Sequence, residues 1–176
     1  MYLISLYFDE NTTKNMQKLI DEVAKVTGNT FMIDGKIPPH ITLLEFDTKD
    51  ELGALDIFNK NVGRLVQGKV LFATIGALKK QVIYVEPVLN EYLHNMSLEV
   101  YGMFKTLPDL KLSPYYQPFG WIPHMSLGKH LDSVQITKAF ETVVNKFDSF
   151  EGMVTRIGIA KTNPHRDLIN VEISRN

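Results

Sequence analysis

The sequence predicts an α+β fold of two similar lobes, in which two antiparallel β-sheets face a central cleft and helices pack on the outside. Strand-like segments alternate with segments of helical periodicity along the 176 residues. The same order of segments occurs twice. Each half also contains one copy of a short motif, Pro-His-x-(Thr or Ser)-Leu, at residues 39–43 and 123–127.

The first half begins with a strand and a helix. Residues 2–8 are rich in aromatic and β-branched side chains, which is typical of a buried strand. Residues 11–27 repeat apolar side chains at three- and four-residue steps, which predicts an amphipathic helix, and Gly28 is a typical helix stop. After a polar loop, the first motif opens a strand at residues 40–46.

A second helix and a hairpin complete the first half. Thr48 and Glu51 have the spacing of a capping box, which predicts the start of a helix. Its predicted core side carries Leu52, Leu55, Phe58, Val62 and Leu65. Strands are predicted at residues 69–78 and 81–86, and the short connection between them indicates a hairpin.

The second half repeats this order. A helix and three strands are predicted at residues 89–105, 124–129, 150–160 and 167–174. Asp132 or Ser133 can cap a further helix. The predicted core side of that helix carries Ile136, Ala139, Phe140, Val143 and Phe147. No linker-like segment divides the chain, so residues 1–176 are expected to form one domain of two pseudo-symmetric lobes.

The spacing of other repeated residues indicates that a whole lobe is duplicated. An Ile-Gly pair follows each motif, so that Gly76 lies 36 residues after His40 and Gly158 lies 34 residues after His124. Similar offsets over a long segment are typical of an internal repeat. A pseudo-two-fold axis between the lobes would allow the two motif strands to face each other across one cleft.

The composition excludes several classes of function. A net charge of −1 argues against binding of long duplex nucleic acid, since such proteins carry a basic excess. The chain has no cysteine, which excludes disulfides, thiolate catalysis and zinc–cysteine sites. No segment resembles a signal peptide or approaches the roughly 20 apolar residues of a membrane span. We therefore expect a cytoplasmic monomer that does not bind membranes.

The two motifs carry the residues for acid–base chemistry on a phosphate. Side chains two positions apart share one face of a strand, so His40 should lie beside Thr42, and His124 beside Ser126. One neutral imidazole can take a proton from a nucleophile while a charged imidazole gives one to a leaving oxygen. The hydroxyl groups can donate hydrogen bonds to non-bridging phosphate oxygens. This scheme needs neither a metal ion nor a cofactor.

The sequence resembles the two-histidine (2H) phosphoesterase superfamily, and in particular its 2′-5′ RNA ligase-like branch. The residues that carry the resemblance are 40–43, 124–127 and the approach at 115–123. The resemblance implies a bilobal fold and metal-independent cleavage or formation of phosphodiesters. It implies a nucleotide or RNA-end substrate, such as a 2′,3′-cyclic phosphate, and it favours His124 as the base in hydrolysis. Ser126 departs from the usual Thr but keeps the donor.

An aromatic loop at residues 106–123 supplies further candidates for substrate binding. Its rings could form a platform on which a nucleobase stacks, or they could anchor the loop to its own lobe. The rings concerned are those of Tyr115, Tyr116, Phe119 and Trp121. His130, which follows the second motif, could border the cleft or end the strand.

Two other functions remain open at this point. A metal hydrolase would need a ligand set such as HExxH, and the sequence contains none. A catalytically silent RNA- or nucleotide-binding module would use the same cleft, so only turnover distinguishes it from an enzyme.

Overall fold

The computed structural model describes residues 1–162 and 164–175, and over these residues the chain forms eight β-strands and five α-helices. The strands are β1 (Tyr2–Phe8), β2 (Ile41–Asp47), β3 (Gly68–Leu78), β4 (Val82–Pro87), β5 (Lys111–Leu112), β6 (Met125–Gly128), β7 (Phe150–Lys161) and β8 (Arg166–Glu172). The helices are α1 (Glu10–Thr27), α2 (Phe31–Asp34), α3 (Glu51–Asn61), α4 (Glu91–Phe104) and α5 (Ser133–Lys146). The predicted α+β class is therefore confirmed. Within the described residues, no helix has both the length and the apolar character of a membrane span.

The strands form one antiparallel sheet in the order β5-β2-β1-β7-β3-β4-β6, with β8 also paired to β7. The long strand β7 joins the two predicted sheets. Its residues 150–154 pair with β3, and its residues 156–161 pair with β8 on that side while β1 lies on the other. The two sheets are thus halves of one hydrogen-bonded structure.

Each motif strand pairs within a half-sheet that also contains a hairpin from the other half of the chain. The second motif strand, β6, pairs with β4 of the hairpin β3–β4. The first motif strand, β2, pairs with β1, which in turn pairs with β7 of the hairpin β7–β8. Hydrophobic periodicity defines strands but not their partners, so the sequence did not predict this exchange.

The helices also pack with elements from the other half of the chain. Helices α1 and α5 pack against each other and against the half-sheet that contains β6, whereas α4 packs on β2 and α3 packs on α4. The predicted apolar stripe of α1 is buried, and Gly28 ends this helix in a left-handed conformation, with φ of 70°.

Three local predictions were wrong. Asp50, and not Thr48, caps α3 by accepting a hydrogen bond from the amide of Gly53. Leu52 is 79% exposed because the buried stripe of α3 runs through Ala54 and Phe58. Phe140 is 43% exposed for the same kind of reason, since Ala139 and Val143 form the buried stripe of α5.

Candidate functional site: a two-histidine cleft

The four motif residues line one cleft of about 1000 Å³ between the two half-sheets. His40 lies just before β2, which carries Thr42, and His124 lies just before β6, which carries Ser126. His40, Thr42 and Ser126 are buried, and His124 is half-buried. The sequence repeat therefore corresponds to a spatial pair of imidazoles and a spatial pair of hydroxyl groups.

Each imidazole is held by the backbone two residues earlier. Nδ1 of His40 donates to the carbonyl oxygen of Pro38 at 2.7 Å, and Nδ1 of His124 donates to that of Ile122 at 2.9 Å. A carbonyl oxygen only accepts, so Nδ1 carries the hydrogen in both rings. Nε2 then has the free lone pair in each neutral ring. Both rings are consequently prepared to act as bases through the same atom.

A tyrosine supports each histidine from the neighbouring strand. The ring of Tyr7 lies 6.2 Å from that of His40, and the ring of Tyr84 lies 5.4 Å from that of His124. Tyr7 is on β1 beside β2, and Tyr84 is on β4 beside β6. The two tyrosine rings thus lie beside the imidazoles at equivalent places in the two halves of the chain.

The two repeated glycines make room for these tyrosines. A Cβ atom on Gly76 would lie 2.3 Å from Oη of Tyr84. A Cβ atom on Gly158 would lie 3.1 Å from Cε2 of Tyr7 and 2.6 Å from a backbone oxygen. A larger residue at position 76 would displace the ring of Tyr84, and one at position 158 would collide with the backbone and press on the ring of Tyr7, which is a physical reason for glycine at both places.

The expected protonation state, with one neutral and one charged imidazole near pH 7, differs from that which the cleft favours in the free protein. Burial is the main cause that lowers the pKa of His40 to about 3, and the nearby charge of Lys129 lowers it further. Burial and Lys129 also lower the pKa of His124. Both rings are therefore neutral near pH 7 in the free protein, and a bound anion is needed to favour protonation of one of them.

The depressed pKa of His40 predicts a loss of stability in acid. Histidine in an unfolded chain titrates near pH 6.5, so between that value and about 3 the unfolded chain binds the additional proton. The stabilisation is complete above pH 6.5 and is lost as the pH falls, at up to about 1.4 kcal/mol per pH unit. Between pH 7 and pH 5, the free energy of unfolding measured with urea should therefore fall by about 2 kcal/mol less in His40→Gln than in the wild-type protein.

The matched control is His94→Gln, because His94 lies on α4 outside the cleft. Between pH 7 and pH 5, the free energy of unfolding of this variant should fall by as much as that of the wild-type protein. Equal losses in His40→Gln and the wild-type protein would show that His40 titrates normally in the folded state.

Lys129 is a cleft residue that the sequence analysis did not select. It lines the cleft, burial lowers the pKa of its ammonium group, and Glu45 partly offsets that effect. Within the described residues, no carboxylate oxygen lies within 4.0 Å of its Nζ atom. A half-buried cation with no carboxylate in contact among the described residues is costly in a free protein and is suited to an anionic ligand.

A change of register explains why strand alternation misses Lys129. Simple alternation from Ser126 would place residue 128 in the cleft. However, the β4–β6 register shifts between Ile83 and Tyr84, and a Cβ atom on Gly128 would meet Val23 of the core.

The structure divides the aromatic candidates into two groups. Tyr115 and Tyr116 line the cleft, and Lys79 lies over the ring of Tyr115 at 4.3 Å. Trp121 does not fit the predicted role as a stacking platform. It is 7% exposed, and its Nε1 donates to the carbonyl oxygen of Thr42 at 3.0 Å. Phe119 does not fit the predicted substrate contact either. Its ring is 87% exposed and packs against His94 of α4, outside the cleft.

His130 follows β6 and lies on the border of the cleft. The centroids of the His130 and Phe31 rings are 4.4 Å apart in an edge-to-face arrangement, and the backbone of His130 is left-handed, with φ of 58°. His165, in the turn between β7 and β8, also lines the cleft. Four of the five histidines of the chain are thus cleft residues. Among the described residues, no three histidine or carboxylate side chains are grouped as metal ligands would be.

Trp121 is expected to act as an anchor of the loop. Trp121→Phe keeps the apolar ring but removes the hydrogen bond to Thr42, so the free energy of unfolding should fall by about 1–3 kcal/mol. Phe119→Ala is the control, and it should change the stability by less than about 0.5 kcal/mol because the ring is exposed. Urea unfolding measures both. A Trp121→Phe protein of wild-type stability would contradict the anchoring role.

A family model described as the 2′-5′ RNA ligase superfamily matches residues 14–166. The chain belongs to this superfamily. The family resemblance drawn from the two motifs is therefore confirmed. Membership supports a phosphodiester-processing function of the 2H phosphoesterase type. No curated protein matches the chain significantly.

Several solved structures share the fold of this superfamily member. Escherichia coli LigT complexed with 3′-AMP has a TM-score of 0.61 at 12% identity, over 98% of this chain and 97% of LigT. The protein TT0787 of Thermus thermophilus has a TM-score of 0.64 at 11% identity, over 97% and 96% of the two chains. A protein described as a phosphoesterase has a TM-score of 0.62 at 13% identity, over 98% and 97%. At these identities, the similarity shows a common fold.

Proposed function

We propose that this protein is a metal-independent phosphodiesterase that acts on a 2′,3′-cyclic phosphate or a related nucleotide or RNA phosphodiester. The observation that carries the proposal is the pair of imidazoles in one cleft, each fixed through Nδ1 and each with Nε2 free. The hydroxyl groups of Thr42 and Ser126 lie beside them. Such a set can move two protons and bind the oxygens of one phosphate.

In hydrolysis of a cyclic phosphodiester, each of the two imidazoles transfers one proton. Nε2 of one ring takes a proton from water, and the water oxygen forms a bond to phosphorus. The bond from phosphorus to one ribose oxygen breaks, and Nε2 of the other ring gives that oxygen a proton. The product is a nucleoside monophosphate with one free hydroxyl group, so atoms and charge balance. The same steps, with a 5′ alcohol in place of water, would form a 2′-5′ linkage as the 3′ oxygen leaves, and their reversal would cleave that linkage to the cyclic phosphate.

The electrostatics support His40 as the base and His124 as the acid, the reverse of the assignment that the family resemblance favours. Burial depresses the pKa of His40 to about 3, whereas the shift of His124 is smaller. The negative charge of a bound phosphate favours protonation of a neighbouring imidazole. His124, with the smaller shift, is then the ring that becomes charged. Lys129 adds a positive charge for the phosphate oxygens.

The fold similarity to LigT is consistent with a nucleotide ligand, because LigT has been crystallised with 3′-AMP, with ATP and with NADP⁺. By analogy, we expect the cleft of this protein to hold a nucleoside phosphate. Tyr115 and Tyr116 are the cleft rings on which a base could stack, and His130 borders the same space.

Turnover of a small panel of phosphodiesters tests the proposal. The panel contains 2′,3′-cyclic nucleotides, RNA with a cyclic-phosphate end and 2′-5′ linked oligonucleotides, each with and without an excess of chelator. We expect turnover of at least one class, unchanged by chelation. Loss of activity on chelation, restored by a divalent ion, would favour the metal hydrolase. Tight binding without turnover of any compound would favour the catalytically silent module.

A further inference from the structure

The hairpin β7–β8 contains unsatisfied polar atoms that the proposed chemistry does not use. Among the described residues, the buried side-chain nitrogen and oxygen atoms without a hydrogen-bond partner are Oγ1 of Thr162, Nε2 of His165 and Oδ1 of Asn170. All three belong to this one hairpin. Folded proteins satisfy nearly all buried polar groups, so a cluster of exceptions requires an explanation.

Two of these residues line the cleft on its His40 side. Thr162 and His165 are both cleft residues, as is Pro164 between them. Their position beside His40 is set by Tyr7, whose ring packs on His40 and whose hydroxyl donates to Oδ1 of Asp167 at 3.5 Å. Thr162 and His165 therefore line the same cleft as His40, on the side of Tyr7.

His165 is held with a donor available. Its Nε2 lies 3.2 Å from Oδ1 of Asp167, in an orientation that makes no hydrogen bond. A carboxylate only accepts, so its charge favours the tautomer with the hydrogen on Nε2. Thr162 supplies a second donor through its hydroxyl group. The two residues line one wall of the cleft, and their donor atoms are covered in the free protein, so rotation of each side chain toward the cleft would present a donor to an oxygen acceptor of a ligand.

We propose that Thr162 and His165 form a second subsite, which binds an oxygen of the nucleotide group that extends from the reacting phosphate on the His40 side. This inference rests on the proposed function and specifies its substrate. The acceptor is either a further phosphate or a ribose hydroxyl of that group. The subsite selects nucleotides over small phosphate compounds.

Isothermal titration calorimetry with three probes tests the subsite. Inorganic phosphate occupies only the space between the histidines, adenosine 3′-monophosphate adds a ribose and a base, and adenosine 3′,5′-bisphosphate adds a second phosphate. Thr162→Val and His165→Leu should each weaken nucleotide binding by about three- to tenfold, as expected for one hydrogen bond, and leave inorganic phosphate unaffected. His165→Gln, which keeps an N–H donor, should restore part of the affinity. Thr137→Val, on the exposed surface of α5, is the control.

The probes also distinguish the two acceptors and the two proposals. A loss confined to the bisphosphate indicates a phosphate acceptor, and a loss for both nucleotides indicates a ribose hydroxyl. Wild-type affinity of both variants for all probes would overturn the subsite and leave the proposed function intact. Failure of the wild-type protein to bind either nucleotide would overturn the subsite, whereas absence of turnover of every compound in the panel would overturn the proposed function.

A stability measurement separates the subsite from a structural role. Among the described residues the hydroxyl group of Thr162 has no hydrogen-bond partner, so Thr162→Val should keep or raise the melting temperature while nucleotide affinity falls. A structural residue would lose stability on substitution. A lower melting temperature with unchanged affinity would therefore contradict the proposal.

Discussion

Replacement of either His40 or His124 by Ala is expected to lower the rate of phosphodiester cleavage by a factor on the order of 10²–10⁴, the usual contribution of one general acid or base. Each ring handles a different proton in the proposed reaction, so neither can replace the other. The double variant should lose less than the product of the two single losses, because the rings act as a unit. Steady-state kinetics on the best substrate of the panel measures all three rates.

The pH dependence provides a second signature of this pair. The wild-type profile should be bell-shaped, with two apparent pKa values that belong to the coupled pair. Thr42→Ala and Ser126→Ala should keep the shape and lower the maximum, since these hydroxyl groups bind charge and move no proton. His94→Ala, outside the cleft, should behave as the wild-type protein does. Folded single variants of His40 or His124 with near-full turnover would show that the cleft is at most a binding site.

Replacement of Lys129 by Met is expected to reduce turnover by a factor on the order of 10²–10³, comparable to the loss of one preorganised donor to the transition state. Lys129 lines the cleft, and its charge contributes to the lowered pKa of both motif histidines, His40 and His124. A cation at this place would stabilise the charge that develops on the phosphate oxygens. Met keeps most of the length of the side chain and removes the charge.

The same substitution should increase the stability of the free protein. The ammonium group is half-buried, burial lowers its pKa, and no carboxylate of the described residues pairs with it, so replacement by an apolar side chain removes a desolvation penalty. Thermal unfolding should show a higher melting temperature for Lys129→Met, and no rise for Lys138→Met, an exposed lysine on α5. A variant with full turnover and a lower melting temperature would identify Lys129 as a structural residue.

The parts of the fold that depend on local patterns were predictable. The strand before α1, the stripe of α1 with its glycine stop, and both motif strands follow from periodicity and local conformational preference. The placement of each motif strand in one half-sheet with the other half's hairpin was not predictable, because alternation along a strand carries no information about its neighbour. The short helix α2 and the two-residue strand β5 are too brief to leave a periodic signal.

The candidate site shows the same division. The motif spacing placed His40 and His124 in one cleft with their hydroxyl partners, since a strand repeats every two residues. Lys129 was missed because a register shift changes the phase of the strand next to it. Trp121 was misassigned because the sequence shows an aromatic residue in a long loop, and not the carbonyl oxygen to which its indole donates.

The most direct test of the central claim is an NMR spectrum of the imidazole nitrogens during titration with adenosine 3′-monophosphate. The claim is that one phosphate contacts Nε2 of both His40 and His124. Both Nε2 signals should shift together at one affinity, both Nδ1 atoms should stay protonated, and the ring of His124 should become the charged one. A response of only one of the two rings, or of neither, would contradict the paired-histidine account.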